Sequence, residues 1–237
     1  MEIPKLLHEI LINSYEQELS KFPLIKEVRR RIRYEDVNCF KFGSHTIKKR
    51  TAYGQKIELV YNKQQSDLIQ LETLNSSWKA LYNEPVSKIE LNVPYYGQLR
   101  DALYQKLKDE ALNYRNEDKK HAAAGKYFRS KSEAKFAEIY RALGIDFKYE
   151  THFDYSYYPD FAASPSFING FFFHEHFGKM NSIDYQYNAA VKIKEYVNMG
   201  LIPGRDILFT FESDNHECNT EEFLHLLTAL IAARLNL

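Results

Sequence analysis

The chain has 237 residues, 44% hydrophobic and 27% charged, with 32 Lys and Arg against 32 Asp and Glu. This is ordinary globular composition for one large domain or two small ones, and zero net charge does not by itself favour nucleic acid. No apolar run approaches the ~18 residues that span a bilayer. The N-terminus lacks the form of a signal peptide, and Cys39 and Cys218 are too few for a disulfide framework, so a reduced cytoplasmic protein with no membrane partner is expected.

Residues 3–22 carry Ile3, Leu6, Leu7, Ile10, Leu11 and Tyr15 near a 3.6-residue period and predict a helix interrupted by Pro23. A second, basic helix is expected over 24–33. Residues 38–61 read as strands with a turn at Tyr53-Gly54, KIELVY being the second strand. Leu68, Leu71, Leu74, Trp78 and Leu81 mark another helix. After a break at Pro94, Leu99, Leu103, Leu107 and Leu112 mark the next. The polar, small-residue run 116–126 is the natural boundary. It separates a helical region with a small β-hairpin, 1–118, from a domain over 119–237.

In that second region the order is clear: helix 131–143 closed by Gly144, strands near 145–150, 156–162 and 168–177, helix 183–198 closed by Gly200, strand 206–212 and helix 220–235. This αβββαβα order predicts an α/β (α+β) fold, a small mixed sheet flanked by helices.

Basic residues are clustered. From Lys26 to Arg50 there are nine (Lys26, Arg29, Arg30, Arg31, Arg33, Lys41, Lys48, Lys49, Arg50) against Glu27, Glu35 and Asp36. Lys119, Lys120, Lys126, Arg129 and Lys131 form a second group. Such patches track phosphates or form a solvated face. The YSYY run, 155–158, could stack bases but suits a core better.

The most informative stretch is Tyr158–Gly178, YPDFAASPSFINGFFFHEHFG. Asp160 and Glu175 sit among apolar and aromatic residues, where an ionised carboxylate is costly unless paired or on a metal. Adjacent strands would put Asp160 opposite Glu175. As a plain alternative, Asp160 is a turn residue after Pro159. Glu133 lies on the stripe of Phe136 and Tyr140, but Ser130-Lys131-Ser132-Glu133 also reads as a capping box. Hard oxygen donors such as these suit Mg²⁺ or Mn²⁺. A zinc site from His174, His176, His216 and Cys218 is disfavoured, because His216-x-Cys218 lacks zinc-ligand spacing.

An acid on the first helix, Pro-Asp on the second strand and an acid on the third resemble the PD-(D/E)XK, or restriction-endonuclease-like, nuclease superfamily. More narrowly, the chain is similar to bacterial proteins with an RSKSE helix, a YPDF strand, an EHFG strand and a helix patterned Tyr-x6-Lys-x3-Tyr. Here these are Arg129–Glu133, Tyr158–Phe161, Glu175–Gly178, and Tyr185, Lys192 and Tyr196. The likeness covers roughly residues 126–225. It implies a metal-dependent nuclease acting on DNA more than RNA, with a homodimer among the assemblies it allows. Asp160, Glu175 and Glu133 would hold the metal, joined by the His176 backbone carbonyl. The basic clusters, rather than the likeness, put Arg29, Arg30, Arg31, Arg33, Lys48, Lys49, Arg50, Arg129 and Lys131 forward as the residues that would contact nucleic acid. An inactive nucleic-acid-binding relative and a structural protein are the alternatives.

One residue departs from the pattern. The superfamily's Glu-x-Lys lysine falls at Phe177. Tyr185, Lys192 and Tyr196, at i, i+7 and i+11, fall within about 40° on one helix face, so Lys192 is expected to replace it. Lys179, just after the strand, is the rival.

Overall fold

The computed structural model describes residues 3–91, 102–111, 118–153, 157–168 and 170–237. They form a mixed α/β protein in two compact units, residues 8–98 and residues 1–7 with 99–237. The expected division at 118/119 falls inside the latter unit. Pro94, Leu99, Leu112 and Tyr155 lie outside the described residues. Among the described residues no helix is long and apolar enough to cross a membrane.

In the unit over 8–98, an antiparallel meander of β1 (Lys26–Ile32), β2 (Glu35–Phe42) and β3 (His45–Lys48) accompanies α1 (Lys5–Ser20) and the 30-residue α2 (Ala52–Leu81). The helix expected over 24–33 is therefore the strand β1. Ile25, Val28 and Ile32 have helical spacing, but all three are β-branched, and Val28 and Ile32 also share one face of a strand. Pairing of β1 along its whole length with β2 settles the competition.

The second strand expected in 38–61 is also corrected. KIELVY lies in α2, with Ile57, Val60 and Tyr61 against a small core of Ile25, Phe40 and Phe42. Leu59, which a strand reading would bury with Ile57, is 72% exposed. Thr51 caps this helix, its Oγ accepting the Gly54 N–H at 3.0 Å. Gly54 makes no turn. A Cβ there would stand 2.2 Å from the Lys48 carbonyl oxygen, so glycine lets the first helical turn lie against the end of β3.

The other unit opens with α3 (Ala102–Lys106). The run expected as a boundary folds instead into a hairpin of β4 (His121–Ala123) and β5 (Lys126–Phe128). Then follow α4 (Lys131–Ala142), β6 (Asp146–Tyr149), β7 (Phe161–Ser164), β8 (Phe172–Phe177), α5 (Ile183–Asn198), β9 (Ile207–Phe211) and α6 (Thr220–Leu235). From α4 onward this is the expected helix–strand order. The sheet runs β6-β7-β8-β9, antiparallel at its first two pairings and parallel at the last, which α5 connects.

Two glycines stop the helices that frame the sheet. Gly144 (φ +67) donates to the Arg141 carbonyl, and Ile145 to that of Tyr140. Gly200 (φ +88) donates to Val197, and Leu201 to Tyr196. Both ends are Schellman motifs, which need a left-handed residue after the cap.

Strands β7 and β8 are buried along their full length. Side chains alternate across β8. His174 packs on Phe136 of α4 and Phe223 of α6, at centroid distances of 4.8 and 5.2 Å. Phe173 joins a cluster on the opposite face with Tyr104, Ala162, Tyr196 and Ile207. Glu175 shares the parity of Phe173 and therefore faces α5.

Candidate functional site

The site is built where β7 begins. Asp160 sits in the bend just before that strand, rather than on it. The ladder pairs Phe161 with His174 and so carries Asp160 to the level of Glu175. Asp160 Oδ2 accepts the His176 backbone N–H at 2.7 Å, and its Oδ1 lies 3.4 Å from Arg129 Nη2. Glu175 is clamped from α5. Lys192 Nζ donates to its Oε1, and the Tyr196 hydroxyl to its Oε2 at 2.8 Å. The lysine expected from helix-face spacing thus reaches the third-strand acid. Lys179 is exposed and makes no ion pair among the described residues.

Glu133 makes the helix-capping contact read from the sequence, and its carboxylate is buried beside the other acids. Its backbone N–H donates to Ser130 Oγ at 3.1 Å, the capping interaction. Its carboxylate accepts from the Tyr149 hydroxyl and from the Arg129 backbone N–H. Tyr185, half-buried, turns toward the acids: burial and the Asp160 charge raise its ionisation above the usual tyrosine range. Lys131, the first residue of α4, is exposed.

Three buried carboxylates are therefore close together. Burial, then the charges of Glu175 and Glu133, push the Asp160 carboxyl well above the ordinary range. Burial raises Glu175 too, against the opposing pull of Lys192 and Tyr196. Asp160 consequently binds its proton more tightly in the folded chain than in the unfolded one. Its contribution to stability is full below the unfolded pKa and is lost as pH rises through the folded value. Asp160→Asn, which cannot ionise, is expected to melt above the wild type at pH 7 in EDTA, with the gap closing toward pH 4. Mg²⁺ or Mn²⁺ should raise the wild-type melting temperature and leave that of Asp160→Asn unmoved. Equal melting curves with and without cation would return Asp160 to the role of a turn residue.

Among the described residues, no group of three or more His, Cys, Asp and Glu is placed to hold a metal ion together. The carboxyl oxygens of Asp160 and Glu175 are the hard donors present here, each already engaged by a protein group. Mg²⁺ commonly takes one or two carboxylates and completes its shell with water and substrate phosphate.

Several contacts were not legible from sequence motifs. Glu150, at the end of the first sheet strand, is fully buried with a left-handed backbone (φ +47). Arg129 Nε lies 2.7 Å from its Oε1, and Lys119 Nζ 3.0 Å from its Oε2. Glu150 thus anchors the arginine that reaches Asp160. The signals were an acid and two bases far apart in sequence, with no local pattern joining them.

The His176 side chain lies on the face opposite Glu175, as strand alternation requires. That imidazole is the last but one in a hydrogen-bonded chain from Tyr140 through His174, Thr210 and His176 to Glu212, with links of 3.1, 2.9, 2.9 and 3.2 Å. Its direction follows from valence. The Glu212 carboxylate can only accept, so His176 carries its proton on Nε2 and, following the neutral imidazoles back along the chain, the Tyr140 hydroxyl donates to His174 Nδ1. His174 Nε2–H then donates to Thr210, whose hydroxyl donates to His176 Nδ1, and His176 Nε2–H donates to the Glu212 carboxylate. Ser132 donates to Glu212 at 2.7 Å. Burial holds both imidazoles below the usual histidine range.

The other basic residues expected to contact nucleic acid lie in the unit over 8–98. Arg29, Arg30 and Arg31 are on β1, Arg33 is in the turn after it, and Lys48 ends β3. Lys49 and Arg50 follow in the turn before α2, with Lys49 paired to Glu27. No protein-family model, curated protein or solved structure matches this chain.

Proposed function

We propose that the protein is a metal-dependent nuclease that hydrolyses phosphodiester bonds, DNA before RNA, on a restriction-endonuclease-like αβββαβα domain. The observation that carries this reading is the lysine that α5 brings to Glu175, where the strand itself offers Phe177. A purely structural carboxylate pair has no need of a third acid, Glu133, whose charge raises the Asp160 pKa further. Asp160 and Glu175 would hold Mg²⁺ or Mn²⁺, with Glu133 and the His176 carbonyl as supporting ligands. Such an ion polarises a phosphoryl oxygen and lowers the pKa of bound water.

The chain's own residues supply the rest. Lys192, half-buried beside Glu175, offers positive charge where the phosphorane would develop negative charge. Tyr196 holds the other Glu175 oxygen and so fixes its orientation. Arg129, anchored by Glu150, presents a second cation next to Asp160.

The test is a cleavage assay on single- and double-stranded DNA and RNA, with Mg²⁺, Mn²⁺ or EDTA. Cleavage with either metal that stops in EDTA is the expected result. Cleavage independent of metal, or none on any substrate, would overturn the reading.

A further inference from the structure

The hairpin of β1 and β2 does not end with its sheet. The β2–β3 ladder covers Cys39–Phe42, and Lys49 bonds the Asn38 carbonyl. Beyond that point β1 and β2 continue alone, through the pairs Arg30–Val37, Arg31–Asp36 and Ile32–Glu35 to a two-residue turn, Arg33-Tyr34. Val37 is still buried at the base, so the pairs Arg31–Asp36 and Ile32–Glu35 with the turn form a free two-stranded ribbon, roughly 7 Å long at about 3.4 Å per residue.

The turn is unusual within this chain. Arg33 (φ +49) and Tyr34 (φ +74) both have positive φ, the type I′ arrangement that favours Asn-Gly. Of the other two-residue hairpin turns, Gly43-Ser44 has its positive φ at the glycine and Ala124-Gly125 has one of its two there. Here a bulky aromatic takes the strained position and stands 91% exposed, so burial does not offset the strain. The charges are exposed as well. Asp36 is turned onto Arg29 at 3.2 Å, whereas Arg30, Arg31 and Arg33 make no ion pair among the described residues. Arg30 and Arg31 stand on opposite faces of the ribbon, as strand alternation requires.

We propose that this ribbon is a DNA-probing arm, its Arg33-Tyr34 tip entering a groove of B-form duplex while Arg30 and Arg31 meet phosphates on either side. The major groove of B-DNA, about 12 Å wide, admits a two-stranded ribbon. The deep, narrow major groove of A-form RNA does not. The idea rests on the nuclease reading for its biological sense. Its test does not, because binding is measured in EDTA, without cleavage.

The decisive variant is Arg33→Asn with Tyr34→Gly. It installs the favoured turn, so the melting temperature should hold or rise by about 2–4 °C. Affinity for a short labelled DNA duplex, measured by fluorescence anisotropy, should nevertheless fall about tenfold. The slope of log K against log salt should lessen by about one unit, and by about two in Arg30→Gln with Arg31→Gln. Single-stranded DNA, duplex RNA and vesicles containing phosphatidylserine are measured beside it. Unchanged duplex affinity and slope in the turn variant would overturn the arm. So would equal losses on single strands, or arm-dependent binding to vesicles in place of duplex. Absence of metal-dependent cleavage alongside arm-dependent duplex binding would sink the nuclease reading and leave the arm standing.

Discussion

Replacing Lys192 with alanine is expected to slow cleavage by about 10²–10³-fold while leaving nucleic-acid affinity nearly unchanged. A charge matched to the transition state acts on the chemical step and little on ground-state binding. Lys192 is the cation that reaches Glu175, and its ammonium lies 5.8 Å from the centre of the Tyr196 ring. Lys179→Ala should cost far less, because that side chain is exposed and unpaired among the described residues. Asp160→Ala and Glu175→Ala should abolish cleavage without unfolding the chain. A second readout separates chemistry from mere packing. Lys192 opposes the upward push of burial on the Glu175 pKa. Without it, the acidic limb of the pH–rate profile should move to higher pH. If Lys179→Ala proves the more damaging change, or the profile of Lys192→Ala does not move, the role of Lys192 is wrong.

The largest stability effect is expected at Glu150. Removing one partner of a buried ion pair leaves an uncompensated charge and costs about 3–5 kcal/mol. Here the figure belongs near the lower end, about 3 kcal/mol. Lys119 keeps Glu110 at 3.0 Å, and Arg129 keeps Asp160 at 3.4 Å. Glu150→Ala should therefore lower the urea midpoint strongly. Glu150→Gln, which preserves shape and hydrogen-bonding capacity, should lower it less. A loss below about 1 kcal/mol in Glu150→Ala would mean that the triad does not hold this corner of the unit together.

The part of the fold from α4 onward was legible because its signals are local. Ser130 marks a helix start, Gly144 and Gly200 mark helix ends, and the apolar periods between them are unbroken. A helix is also a rigid ruler, so seven- and eleven-residue spacing sufficed to bring Lys192 and Tyr196 to Glu175. The first hundred residues misled for the same local reasons. Ile25, Val28 and Ile32 satisfy two periodicities at once, and Gly54 looks like punctuation when it is a close approach. Glu150, Arg129 and Lys119 meet through tertiary structure alone. No window of sequence contains that contact, and a sequence pattern cannot announce it.

The polar residues of β8 have a consequence for how the strand finds its place. Phe171, Phe172 and Phe173 supply aromatic side chains to both parities, so the apolar pattern would tolerate a slip by one residue. Such a slip turns every side chain to the opposite layer. His174 and His176 would then meet α5 without Tyr140, Thr210 or Glu212, and Glu175 would be driven among Phe136 and Phe223. Each misplaced group would lose its partners in a buried setting, at about 1–3 kcal/mol apiece and more for the charge. The imidazole chain on one layer and the carboxylate clamp on the other therefore lock the alignment of β8 from both sides. Correct threading of the strand and assembly of the acid pair become a single event, and a misregistered chain would also lack the candidate site.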